Sequence, residues 1–118
     1  MNDSAPCATR GPMYRPMDVL SDVLDMFEYA ARKQVHERIG EVVRMFVYEE
    51  AKLRLDGLGP VPREPAYLLV ISEVRDPIRR HLSKHRVGLD RVDTVVRELE
   101  TLVHRKAHAG TDGPSPAR

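Results

Sequence analysis

Residues 17–56 read MDVLSDVLDMFEYAARKQVHERIGEVVRMFVYEEAKLRLD, and the spacing of their apolar groups decides the fold class. Leu20, Leu24, Phe27, Ala31, Val35, Ile39, Val42, Phe46 and Leu53 recur mostly every three or four residues. At about 100° per residue they stay within an arc of roughly 120°, the stripe of an amphipathic helix, and the alternation of a strand is absent. Asp18 and Ser21 are candidate N-caps, and Asp22 and Asp25 suit the positive end of a helix dipole. Gly57, Gly59 and Pro60 stop the pattern.

As one helix this stretch is roughly 60 Å long, against a radius of gyration of about 14 Å for a compact domain of this length. Either the helix breaks near Gly40 or a second copy covers the stripe. Glycine inside a helix costs about 1 kcal/mol against alanine, which permits a break without forcing one. No proline or turn cluster surrounds Gly40. The pattern therefore favours a continuous helix and a homodimer, with Leu20, Leu24, Phe27, Val35, Ile39, Val42 and Phe46 at the interface. Arg38 and Glu49 fall inside the same stripe, and their spacing of 11 residues suits pairing with a second copy. Tyr29 and Tyr48 lie off the stripe, where they widen it towards an interface.

Downstream, GLGPVPREP (57–65) is a loop. AYLLVISEVRDPIRRHLSKHR (66–86) follows, and its run Tyr67, Leu68, Leu69, Val70, Ile71 is apolar on every side, predicting the most buried turn of the chain. Pro77 lacks a backbone donor, and Asp76 as N-cap would let it open a new helix. A kinked continuous helix is the rival. Gly88 marks the next junction and Asp90 is a candidate cap for a last helix. That helix carries Val92, Val96, Leu99 and Val103, flanked by Leu89, Val95 and Leu102. The expected fold is all-α: a long first helix, then two or three shorter helices folding back as a helical hairpin or bundle. The helical domain covers 17–108. The proline-rich residues 1–16 and the tail 109–118 are read as disordered arms, too poor in large apolar groups to offset the entropy of ordering.

The chain's 118 residues allow one domain. No apolar run reaches the length of about 18 residues that a membrane span needs, and the first residues contain no secretory core. Cys7 is the single cysteine and cannot form an internal disulfide. An intracellular, cytoplasmic location is the expectation. The net charge of +1 points to no partner, but it is unevenly spread. Residues 17–56 carry a net −3 and residues 63–108 a net +3, so antiparallel halves would attract.

Arg75, Arg79, Arg80, Lys84, Arg86 and Arg91 form the densest basic run and are the candidate contacts to the phosphates of double-stranded RNA or DNA. On a helix, however, Arg75, Arg79 and Arg86 fall on one flank and Arg80 and Lys84 on the other. Flanks of that kind commonly snorkel beside a buried seam. A helix-turn-helix over 82–99 is disfavoured, because Val92, Val95, Val96 and Leu99 are needed in the core and Asp93, Glu98 and Glu100 oppose phosphate. His81 with His85, and His104 with His108, have the i,i+4 spacing of zinc ligands but lack a third ligand at a matching position. No glycine-rich phosphate loop or nucleophile elbow occurs. The expectation is a non-enzymatic protein without catalytic, metal or cofactor residues. It would be a dimeric adaptor or regulator whose partner is another protein, with nucleic-acid binding as the alternative.

Overall fold

The 40-residue apolar pattern folds as two helices rather than one. The structure, a computed structural model, describes residues 11–109. In chain order it has a strand β1 (Met13–Tyr14), helices α1 (Pro16–Gln34) and α2 (Glu37–Leu55), a strand β2 (Val61–Pro62), and helices α3 (Arg63–Lys84) and α4 (Leu89–Ala109). The all-α reading holds, as does the folding back of the second half. The continuous helix over 17–56 does not.

The break falls at Val35 and His36, four residues before Gly40. His36 is extended, with φ −172° and ψ 141°, and its Nδ1 accepts a 3.0 Å hydrogen bond from the Arg38 backbone N–H. This gives α2 an N-cap from a residue type outside the usual Ser, Thr, Asp and Asn set, which is why the capping rules passed over it. Arg32 and Lys33 in the last turn of α1 and Glu37 in the first turn of α2 suit the two dipole ends meeting there.

Gly40 has a different task. It is buried, and a Cβ placed on it would stand 3.1 Å from Ala31 Cβ. The missing side chain lets α2 cross close to α1.

The break also resets the phase of the stripe. α1 buries Val19, Leu20, Val23, Leu24, Phe27, Ala30 and Ala31, as the pattern predicts. α2 buries Gly40, Val43, Val47, Ala51 and Leu55, one or two residues out of step with the predicted positions. Leu20, Leu24 and Phe27 therefore face the chain's own core, not a second copy. Val35, Ile39 and Val42 are half-buried and Phe46 is exposed, while Arg38 and Glu49 lie at the surface.

α2 packs between α1 and α3, and α4 packs between the same two helices on the other side. Helix α3 runs through Pro77, which is buried; Asp76 is an ordinary exposed helical residue and caps nothing. The proline removes one hydrogen bond. Val74, Ile78 and Leu82, fully buried on either side of it, hold the helix in line. The run 67–71 is less uniformly buried than its composition predicts: Leu69 is exposed and Leu68 half-buried, since one flank of α3 faces outward. At the end of α3, Arg86 takes a left-handed φ of 64°. The bonds Val87 N–H to Leu82 O (3.2 Å) and Arg86 N–H to Ser83 O (2.9 Å) close the helix around it. The chain reverses on an arginine in the place where glycine is usual. Gly88 then accepts the first bond of α4, from Val92 N–H, and Asp90 sits inside the first turn instead of capping it.

Residues 1–10 and 110–118 of the expected arms lie outside the described residues. Residues 13–16 of the first arm are ordered: Met13 pairs with Pro62 and Tyr14 with Val61 in an antiparallel ribbon, and Pro16 opens α1. Arg63 fastens this end. Its Nη1 donates to Tyr14 Oη (2.9 Å), its Nε donates to the Lys106 carbonyl (2.9 Å), and its guanidinium lies over the rings of Tyr14 and Tyr67. No sequence pattern singled out Arg63. Beside it, Tyr67 Oη donates a 2.6 Å bond to Asp22, and burial together with that carboxylate pushes the phenol pKa up.

Candidate interaction surfaces

The basic segment is divided by ion pairs. Arg75 Nε lies 2.8 Å from Glu100, and Arg79 Nη1 lies 2.6 Å from Asp93, both on α4. Arg80 Nη1 donates to both Glu50 oxygens, at 2.9 Å, on α2. The two flanks inferred from helical spacing are thus turned to two different neighbouring helices. Lys84, Arg86 and Arg91 are exposed around the α3–α4 turn and make no side-chain ion pair or hydrogen bond within the described residues. Six cations in one segment become three paired groups and three free ones. Ion pairs between the two halves run in both senses: Lys106 with Asp22 and Arg80 with Glu50 follow the net charges, whereas Lys33 with Glu98 and Arg54 with Glu73 run against them. Lys33 reaches Glu98 at 2.8 Å, Arg54 reaches Glu73 at 3.6 Å, and Lys106 reaches Asp22 at 3.9 Å.

Glu50 is the busiest of these acids. Besides Arg80, it takes a 2.6 Å contact from Nε2 of His81, a buried ring stacked on Phe46 with centroids 5.2 Å apart. The His81 bond first, and Arg80 second, hold the Glu50 carboxyl below the usual carboxylate range. A carboxyl depressed in the folded state contributes stability that is full above the unfolded value of about 4.3. That contribution is lost as pH falls through the depressed value. Glu50→Gln should therefore lower stability by about 1 kcal/mol at neutral pH and much less near pH 3. Urea denaturation at the two pH values checks this, and an equal loss at both would refute it.

The histidine pairs separate. His81 is buried, whereas His85 caps the end of α3 at the surface. His104 and His108 stack with centroids 6.3 Å apart on exposed α4. Among the described residues no three His, Cys, Asp or Glu side chains gather as a metal site requires. A shallow depression of about 630 Å³ runs beside these histidines. Arg97, Glu100, Thr101, His104, Arg105 and His108 line it, all from α4, so its walls do not converge on a point as an enclosed site's do.

The largest apolar exposure is on α2. Because α1 and α3 take its inner side, its outer side faces away from the bundle, and the sequence makes that side apolar too. Met45 is 67% exposed, Phe46 50% and Leu53 82%. With half-buried Val42 they lie within about 100° of one another around the helix axis, over some three turns. Arg38 and Glu49 sit on the same side, exposed, with neither side chain in an ion pair or hydrogen bond among the described residues. Of the seven residues expected at a dimer interface, Leu20, Leu24 and Phe27 are lost to the core. Val42 and Phe46 lie on this face, and Ile39 and Val35 stand at its N-terminal end. Met45 and Leu53 join them; Leu53 belongs to the predicted stripe and Met45 does not.

No protein-family model, no curated protein and no solved structure matches the chain. No helix among the described residues is long and apolar enough to cross a membrane.

Proposed function

We propose that this is a non-enzymatic binding protein, a small cytoplasmic adaptor or regulator that works through protein–protein contacts, self-association among them. The observation that carries the reading is the second apolar face of α2. The bundle core is complete without Met45, Phe46 and Leu53, which leaves a contiguous apolar strip in water. A charged or polar helix surface would serve folding equally well. Apolar groups kept at three or four residue spacing on an outward face suit a helix-on-helix contact.

The test is photo-crosslinking. A photoreactive side chain at position 53, in extract of the source cells, should give discrete protein adducts that Phe46→Asp abolishes while circular dichroism stays unchanged. Adducts indifferent to Phe46→Asp overturn the reading.

The alternative is contact of segment 75–91 with double-stranded RNA or DNA. Its support is reduced to Lys84, Arg86 and Arg91, and salt dependence separates the cases. Three phosphate contacts lose about 40-fold in affinity between roughly 50 and 200 mM salt, and six lose on the order of 10³-fold. Submicromolar anisotropy titrations with the steeper loss would replace the protein-contact reading with the nucleic-acid one.

A further inference from the structure

We propose that the outer face of α2 pairs antiparallel with the same face of a second copy, setting Arg38 of each chain against the partner's Glu49. This rests on the reading of that face as an interaction surface and names its occupant. Charge placement carries it. Arg38 and Glu49 stand at opposite ends of the patch formed by Val42, Met45 and Phe46, separated by about 16 Å along the helix. Two of the other charged groups beside the patch are engaged within the chain, while Glu41 and Lys52 stand exposed at its edge beyond Met45, off the stripe, and make no ion pair or hydrogen bond among the described residues. Arg44 is held by Asp25 and Glu28 on the α1 side, and Glu50 by Arg80 and His81 on the α3 side. On the apolar stripe itself, Arg38 and Glu49 are left as charges of opposite sign with no partner among the described residues.

A two-fold axis crossing α2 midway between them brings each Arg38 onto the partner's Glu49, twice over. The apolar groups Val42, Met45 and Phe46 then meet their own copies between the two ion pairs. A parallel arrangement instead sets Arg38 on Arg38 and Glu49 on Glu49. The same antiparallel register explains Leu53, the most exposed large apolar residue of the bundle. It lies four residues beyond Glu49 and so extends past the partner's Arg38 towards the partner's Val35, which is half-buried and apolar. A single pair of helices buries less than the roughly 1,200 Å² of a standard interface, so the dimer is weak, with a Kd on the order of 10 µM.

Sedimentation equilibrium of the full chain, at concentrations from about one-tenth to fifty times that Kd, tests the pairing. The wild type should pass from monomer to dimer across the range, and Met45→Asp should stay monomeric with an unchanged thermal melt. Arg38→Glu and Glu49→Arg should each weaken the dimer by about tenfold, since both ion pairs become repulsions. Mixing these two variants is the sharpest arm. The Arg38→Glu chain carries two acids and the Glu49→Arg chain two bases, so together they should form a heterodimer as tight as the wild type. A wild type monomeric throughout overturns the proposal, as does a dimer indifferent to Met45→Asp, or a mixture no tighter than its components. A monomeric wild type that still gives Phe46-dependent crosslinks to other proteins overturns the self-pairing alone and leaves the broader reading standing.

Discussion

Phe27→Ala should cost about 3–5 kcal/mol, enough to unfold much of a domain of this size, whereas Phe46→Ala should cost no more than about 1 kcal/mol. The two phenylalanines occupy the same predicted stripe 19 residues apart, and the structure gives them opposite fates. Phe27 has no exposed surface and is the largest of the fully buried side chains; Phe46 is half exposed and rests one side on the His81 ring. Truncating Phe27 removes the transfer energy of a whole ring and leaves a cavity among Leu24, Ala31 and their neighbours on facing helices. Truncating Phe46 removes one stacking contact and reduces apolar surface in water. Urea titrations of both variants measure the contrast. Equal losses would mean that α2 presents the other side to the core and that the stripe runs unbroken through Val35 and His36.

Gly40→Leu should cost about 3 kcal/mol, the upper end of what overpacking a core does. A Cβ alone would come within 3.1 Å of Ala31 Cβ, and the rest of a leucine has no room between the two backbones. Helix propensity pushes the other way by about 1 kcal/mol, since any ordinary residue is a better helix former than glycine. An isolated α2 peptide carrying Gly40→Leu should therefore gain helicity while the protein carrying it loses stability. The opposed signs identify the helix crossing as the cause. A protein stabilised by Gly40→Leu would show that α1 and α2 lie further apart.

Much of the fold was legible because apolar spacing reports the face of each helix as long as the helix lasts. Over α1 the predicted apolar positions are all buried, and over α4 Val92, Val95, Val96, Leu99 and Val103 are, while Leu89 is exposed and Leu102 half-buried. The reading failed at one junction and its consequence. Val35 and His36 carry no glycine or proline, and His36 caps through a ring nitrogen, so nothing in the composition announced a stop. Missing it shifted the phase for the following nineteen residues of α2 and made an outer face look like an inner one. The same happened at Pro77, where a local signal for a new helix is overridden by burial on both sides. At the end of α3, Gly88 drew attention although Arg86 makes the left-handed turn.

The interaction surface was half legible. That α2 offers Arg38, Val42, Phe46, Glu49 and Leu53 on one side follows from spacing alone. That this side points away from the core depends on where α1 and α3 lie, which spacing along one helix cannot report. The division of the basic segment was likewise visible as two flanks, but the acids that meet them come from α2 and α4, 14 to 30 residues away in sequence.

The guanidinium of Arg63 touches Tyr14 on one side and the Lys106 carbonyl on the other, so the two ends of the described chain leave the bundle at one pole. A short linker can join them there without crossing any helix. A circular permutant opened between Val35 and His36, where the backbone is already non-helical, would keep all four helices whole. Cargo fused directly to either end of the described residues would emerge at that pole. In an antiparallel pair of chains, two such cargoes would sit at opposite ends of a rod, with the helix contact between them as a spacer.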